Sequence, residues 1–182
     1  MVNVKNHYHS TTLGILELYV HTKRSILKAK SVQHLQSIGI YDEWETPPSL
    51  IRITQIKFDL SIFLDVCATH DNAQFQKYFT KEINGLNQNW FTNFFMNPPY
   101  SEIEIWMRKA WNEVQKNKVT GLILTFAKTD TKWFHEFVFD EQKNIWLAQF
   151  IPIKGRIKFF KDGVKSKNSA PYPSCWIIMR PQ

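Results

Sequence analysis

The chain has 182 residues, a length typical of about one domain. Hydrophobic residues make up 43% of it and aromatic residues 15%, which is enough for one apolar core and excludes the disordered, collagen-like and coiled-coil classes. No apolar run approaches the roughly 20 residues of a membrane-spanning helix, and the first residues lack the pattern of a secretory signal. Two cysteines, Cys67 and Cys175, exclude a disulfide framework and a four-cysteine metal centre, so we expect a reduced, cytoplasmic location.

The net charge of +7 is unevenly distributed along the chain. Residues 1–40 contain five basic residues and one acidic residue, residues 150–182 contain seven and one, and the stretch between them is net acidic. Basic regions favour a polyanionic partner such as nucleic acid, and the alternative is a solvated surface without a partner. We therefore predict a basic N-terminal extension over 1–40 and a main domain over 41–182.

The first half of the chain contains few clear elements. Residues 24–38 place apolar side chains at three-residue steps, which predicts a basic amphipathic helix, either for binding or simply for packing. The adjacent prolines 47 and 48 predict a loop over 41–50. Residues 61–66 form a short apolar run typical of a buried strand, and residues 73–79 fit one or two helical turns.

The second half alternates strands and helices. One helix is predicted to begin at Ser101, with Glu104 at the spacing of a capping box, and another is predicted over 131–139. Strands are predicted over 90–96, 119–126, 145–151, 155–160 and 175–179. This alternation predicts an α/β sheet with helices on both faces.

The sequence Asn97-Pro98-Pro99-Tyr100 lies between a predicted strand and a predicted helix, where open α/β sheets bind their ligands. The two prolines stiffen the loop and remove two N–H donors, so its carbonyl groups are available as acceptors. A planar substrate with an exocyclic amine fits this loop, because the amine can donate to the Asn97 side chain and to the Pro98 carbonyl while Tyr100 stacks on the ring. Both bonds turn the nitrogen lone pair toward an electrophile. The alternative is a plain Pro-Pro turn.

Here the sequence resembles a known family. The residues NPPY are similar to the catalytic motif of amino-group methyltransferases that use S-adenosylmethionine. Further blocks resemble, in the same order, segments of the phage-type, Dam-like DNA N6-adenine methyltransferases. These blocks are DEWETP at 42–47, FLDVCA at 63–68, TDTKWF at 129–134 and GRIKF at 155–159.

The resemblance implies a Rossmann-like, S-adenosylmethionine-dependent methyltransferase sheet that is parallel except for one strand near the C-terminus. Asp65 would lie near the cationic sulfonium, or act only as a structural carboxylate. Glu82 is the candidate for the ribose hydroxyls, with a solvated surface charge as the alternative. The usual glycine-rich turn is absent, and small residues stand in its place. The implied cofactor contacts are Thr46, Pro47, Asp65, Cys67, Ala68, Glu82 and Asn97.

The resemblance also implies that the substrate is double-stranded DNA with the target base flipped out of the duplex. Phe159 would stack on that base opposite Tyr100, with core packing as the alternative. Arg156 and Lys158 would bind neighbouring phosphates, because strand alternation places them on the face opposite Ile157 and Phe159. The catalytic residues would be Asn97, Pro98, Pro99 and Tyr100.

We therefore predict methyl transfer to the N6 amine of adenine in DNA, without a metal, in a bacterial host that carries a phage or prophage. Asn97 favours adenine, because cytosine enzymes commonly have serine there. The alternatives are an RNA or protein-amide N-methyltransferase and a degenerate methyltransferase that only binds DNA. A homodimer is possible and no membrane partner is expected, while the recognition sequence and the role of residues 1–40 stay open.

Overall fold

The computed structural model describes residues 42–182. The predicted helix over 24–38 and the basic extension lie outside the described residues. In chain order the described residues contain α1 (Pro48–Phe58), β1 (Leu64–Asp65), β2 (Lys77–Tyr78), β3 (Phe94–Met96), α2 (Ile103–Asn117), β4 (Gly121–Phe126), α3 (Lys132–Phe137), β5 (Phe139–Asp140), β6 (Ile145–Trp146), β7 (Gln149–Pro152), β8 (Phe160–Lys161), β9 (Val164–Lys165) and β10 (Ser174–Met179). Short 3-10 turns cover Gly85–Asn87 and Tyr100–Glu102.

Six strands form one sheet in the order β2-β1-β3-β4-β10-β7. The first four are parallel to one another, and β10 runs antiparallel to both of its neighbours. The pairs β5–β6 and β8–β9 are separate antiparallel hairpins. The described residues therefore form a mixed α/β fold with a mostly parallel sheet, and the single antiparallel strand near the C-terminus is confirmed.

The sheet has an apolar cluster and at least one helix on each face. In β4, Ile123 packs in the cluster that contains Met107 of α2 and Phe134 of α3. The next residue, Leu124, packs in the opposite cluster with Ile51 of α1. Both β4 and β10 are buried along their full length, as expected for strands covered on both sides. Helices on both faces were predicted and are confirmed.

Helix α1 corrects the predicted loop over 41–50. The helix begins at Pro48, with Pro47 as its N-cap residue, and ends before Asp59, whose φ of 50° is left-handed. Proline suits the first helical position because its missing N–H would have no partner there in any case. The proline pair therefore marks the start of a helix rather than a turn between other elements.

Four other element predictions are corrected. Residues 73–79, predicted to be helical, contain β2, which exists through its pairing with β1. Residues 145–151 divide into β6 and β7. Of the strand predicted over 155–160, only the last residue, Phe160, belongs to an observed strand, β8. Ser101 does not cap a helix, because α2 begins at Ile103 and has no side-chain cap.

The strands predicted over 61–66, 90–96, 119–126 and 175–179 are present, three of them shorter than predicted and the last longer by one residue. The helix predicted over 131–139 is also present, as Lys132–Phe137. Within residues 42–182, the helices lack the length and apolarity that a membrane crossing requires.

Candidate active site

The NPPY loop follows β3 directly and leads through a 3-10 turn into α2. Because β1, β3 and β4 are parallel and paired in register, their carboxyl ends meet at the same edge of the sheet. Asp65 at the end of β1 and Phe126 at the end of β4 therefore flank the loop. Pro98 is buried, and Asn97 and Pro99 are half-buried. This is the edge where parallel sheets bind their ligands.

Two hydrogen bonds fix the side-chain amide of Asn97. Its Nδ2 donates to the backbone oxygen of Trp44 at 2.7 Å, and its Oδ1 accepts from the Tyr100 hydroxyl at 2.9 Å. A carbonyl oxygen only accepts hydrogen bonds, so the amide has to present nitrogen to Trp44 and oxygen to Tyr100. An amide oxygen has two lone pairs, and the bond from Tyr100 uses one of them. Oδ1 can therefore accept a second donor.

Tyr100 is a buried residue, 4% exposed, at the base of the loop. Its ring stacks on Phe126 with centroids 4.1 Å apart and planes 25° apart. Burial raises the pKa of Tyr100 far above its ordinary value, so the hydroxyl stays neutral and donates to Asn97. Because Phe126 covers one face, a base that stacks on Tyr100 has to use the other, and neighbouring groups have to move to admit it.

Asp65 closes the loop that follows β1. It is 2% exposed, its Oδ1 accepts from the Cys67 N–H and its Oδ2 accepts from the Gln74 N–H, both at 3.2 Å. Burial raises the pKa of Asp65 to about 6, although both hydrogen bonds act to lower it. Burial also raises the pKa of the Cys67 thiol, which stays neutral. The Ala68 N–H donates to the Phe79 oxygen and holds this loop against the residues that follow β2.

The remaining predicted cofactor contacts differ in exposure. Thr46 is buried, and its Oγ1 has no hydrogen-bond partner among the described residues. Pro47, beside it, is half-buried. Glu82 is exposed beyond β2, and a hydrogen bond with Thr80 lowers the pKa of its carboxyl. A buried hydroxyl without a partner is costly, so a ligand that bonds to Thr46 would gain from it.

The predicted DNA-contacting residues alternate between exposed and buried, although they lie outside any strand. Arg156 and Lys158 are exposed, while Ile157 and Phe159 are buried. The Arg156 guanidinium also donates to the backbone oxygens of Ala170 and Pro171. Phe159 is 1% exposed, so stacking on a base requires its cover to move. The roles of these residues toward DNA stay predictions.

The sequence analysis missed two residues that hold the loop. The carboxylate of Asp42 accepts from the Ser101 N–H at 3.1 Å and from the Ser101 hydroxyl at 2.5 Å. Trp44 supplies its backbone oxygen to Asn97, and its ring lies 4.9 Å from that of Phe159. Both belong to the DEWETP block, which drew attention to this segment but not to these contacts.

Comparison with known proteins identifies the family of this chain. A family model described as DNA N-6-adenine-methyltransferase (Dam) matches residues 35–182, a range that contains all five motif blocks. The chain belongs to this Dam family. The predicted family is thus confirmed. The match also covers the part of the chain that forms the sheet and the NPPY loop.

Two phage proteins, each named DNA N-6-adenine-methyltransferase, are similar to this Dam-family chain. The one from Escherichia phage T1 is 29% identical over 111 residues, which are 60% of this chain and 46% of the relative. The one from Haemophilus phage HP1 (strain HP1c1) is 27% identical over 108 residues, 59% of this chain and 62% of the relative. The chain thus spans about half the length of the curated relatives it matches.

Proposed function

We propose that this chain transfers the methyl group of S-adenosylmethionine to the N6 amine of adenine in double-stranded DNA. The observation that carries the proposal is the fixed amide of Asn97, whose Oδ1 keeps one lone pair for a donor. An exocyclic amine has two N–H groups. One would donate to Asn97 Oδ1 and the other to the Pro98 carbonyl, so that the lone pair is localised on the nitrogen and points out of the plane of the ring.

The protein supplies geometry and electrostatics to this reaction. S-adenosylmethionine, when bound, supplies an electrophilic methyl group on a cationic sulfonium. Asn97 and Pro98 make the amine nitrogen more nucleophilic and aim its lone pair. The neutral Tyr100 hydroxyl keeps Asn97 in the orientation that accepts from the amine. Tyr100 and Phe159 would hold the flipped base between them once their cover has moved.

The residues at the sheet edge fit the proposed cofactor. The Asp65 carboxylate, with a pKa of about 6, is largely ionised at neutral pH and would complement a cation. The Thr46 hydroxyl, which has no hydrogen-bond partner within residues 42–182, offers a hydrogen bond to the methionine part. We further propose that Pro47, Cys67, Ala68 and Glu82 line this pocket. The mostly parallel sheet with one antiparallel strand supports a Rossmann-like methyltransferase fold.

The proposed partner is duplex DNA. The basic character of residues 150–182 and the exposure of Lys158 support phosphate binding. Arg156 would bind phosphate through the N–H groups of its guanidinium that do not donate to Ala170 and Pro171. Phage relatives support a phage or prophage origin, and a homodimer stays a prediction.

The test is methyl transfer from labelled S-adenosylmethionine to unmethylated duplex DNA, followed by nucleoside analysis. We expect N6-methyladenine as the labelled nucleoside, and at least about a hundredfold less label with Asn97→Ala. Label on RNA or protein instead of DNA would show that the proposed substrate is wrong and would identify its class. A protein that does not bind the cofactor would favour the degenerate methyltransferase that only binds DNA.

A further inference from the structure

The closest polar contact of the Asn97 amide is with a backbone carbonyl from a distant part of the chain. Trp44 and Asn97 are 53 residues apart in sequence, yet the Trp44 oxygen and Asn97 Nδ2 are separated by only 2.7 Å. We propose that the Trp44 carbonyl is the positioning group for Asn97 and that it makes this loop require an amide, rather than a carboxylate, at position 97. The consequence for methyl transfer rests on the proposed function, whereas the requirement itself does not.

The Trp44 carbonyl is held in place from the C-terminal side. The next residue, Glu45, pairs its backbone with Phe160, the Glu45 N–H donating at 2.9 Å and the Phe160 N–H donating back at 3.0 Å. The Glu45 carboxylate accepts from the Gly163 N–H with both oxygens at 3.3 Å. Gly163 and Asp162 form the turn of the β8–β9 hairpin with φ values of 71° and 52°, as a two-residue hairpin loop requires. The hairpin therefore anchors the segment that carries the carbonyl.

The same segment is also held from its N-terminal side. The two oxygens of Asp42 accept from the N–H and the hydroxyl of Ser101, which follows the NPPY loop directly. The Trp44 ring packs against the buried Phe159. Contacts on both sides of Trp44 thus resist a movement of its carbonyl away from Asn97.

This arrangement discriminates between an amide and a carboxylate. With Asn97→Asp, an ionised side chain would place an acceptor oxygen against the acceptor oxygen of Trp44. Rotating the carboxylate by half a turn does not remove this repulsion, because its second oxygen is also an acceptor. A protonated carboxyl has one O–H donor and one carbonyl oxygen, so it can donate to Trp44 and still accept from Tyr100. The substitution should therefore be tolerated only in its protonated form.

The ionisable groups near this loop are the same in both variants. Tyr100 and Cys175 stay neutral, since burial raises both pKa values, that of Cys175 to about 12. Asp42, Glu43 and Glu45 are the acidic residues on the segment that carries the Trp44 carbonyl, and the Asp42 charge acts on Tyr100. The hairpin carries two cations: Lys161, which lies 3.5 Å from Glu43, and Lys165, which pairs with Phe160 across the hairpin. Groups such as Asp65 that titrate near pH 6 are present in every variant, so comparison at equal pH removes their effect.

The first experiment measures stability and needs no activity. Urea unfolding of the Asn97→Asp and Asn97→Ala variants is followed from about pH 5 to about pH 8. The introduced carboxyl should hold its proton more tightly in the folded than in the unfolded protein, so its contribution is complete at low pH and lost as pH rises. The folding equilibrium constant of Asn97→Asp relative to Asn97→Ala should fall at least about tenfold over this range. Parallel curves for the two variants would overturn the proposal.

The second experiment measures kcat for methyl transfer with the wild type and both variants. At about pH 8 the kcat of Asn97→Asp should be at least about a hundredfold below wild type. On lowering the pH to about 6 it should recover at least about tenfold relative to wild type, whereas Asn97→Ala should not recover. Wild-type kcat for Asn97→Asp at high pH would overturn the proposal. A wild type without methyl transfer, together with diverging unfolding curves, would refute the proposed function while supporting the role of the carbonyl.

Discussion

Asp65 offers a sharp test of the proposed cofactor site, because its burial makes a measurable prediction about pH. Its pKa rises from 3.8 to about 6 on folding, and this difference corresponds to about 3 kcal/mol. The folded protein binds this proton more tightly than the unfolded chain does. The resulting stabilisation is complete below pH 3.8 and is lost as pH rises through about 6.

The matched variant is Asp65→Asn, which keeps the size of the side chain and removes the titration. Between about pH 3.5 and about pH 7, the free energy of unfolding of the wild type should fall by about 3 kcal/mol relative to Asp65→Asn. Urea titrations at several pH values measure this difference. A constant difference between the two proteins would refute the assignment of the raised pKa to Asp65.

Cofactor binding should show the opposite dependence on pH. If the ionised Asp65 complements the sulfonium, only the ionised protein binds well, and at about pH 5 roughly one molecule in ten is ionised. Calorimetry should then give S-adenosylmethionine a Kd about tenfold weaker at about pH 5 than at about pH 7.5. The same change of pH should leave the Kd of Asp65→Asn nearly unchanged. Equal dependence in both proteins would refute the proposed contact.

Three further predictions concern the loop, the surface and the core. Asn97→Ala should lower methyl transfer at least about a hundredfold with DNA binding retained, and equal activity would contradict the role of the loop. Replacing the exposed Lys154 and Lys158 with alanine should make the plot of the logarithm of the DNA-binding constant against the logarithm of the salt concentration less steep, by up to about 2. The control Lys116→Ala, on the surface of α2, should leave this slope unchanged. Glu113 is buried and accepts from three donors, so Glu113→Ala should cost about 3 kcal/mol in urea unfolding and Glu113→Gln clearly less; equal losses would contradict this account.

The elements with continuous apolar patterns were predictable from sequence, and those created by tertiary pairing were not. Strands β4 and β10 are buried at all six of their positions. A continuous run of apolar residues in the sequence indicates this kind of buried strand. Strand β2 has only two residues, neither of them fully buried, and it exists because Leu64 and Asp65 pair with it. The proline pair before α1 was ambiguous, since proline starts helices as readily as it forms turns.

The location of the candidate site could be predicted more fully than its geometry. The position of NPPY between a strand and a helix predicted that the loop lies at the carboxyl edge of the sheet, as it does. The orientation of Asn97, however, depends on the backbone oxygen of Trp44, and a backbone atom leaves no signature in residue identity. Likewise, nothing local to Phe159 indicated that the Trp44 ring packs on it.

Trp44 makes two contributions that the proposed reaction needs to keep separate. Its carbonyl must stay on Asn97, whereas its ring lies against Phe159, where the flipped base is proposed to stack. A rotation of the side chain would move the ring without moving the carbonyl, because the backbone on either side is held by the Glu45–Phe160 pair and by the Asp42–Ser101 contacts. The proposed capture of a base would therefore open the stacking surface while the amide of Asn97 keeps its orientation.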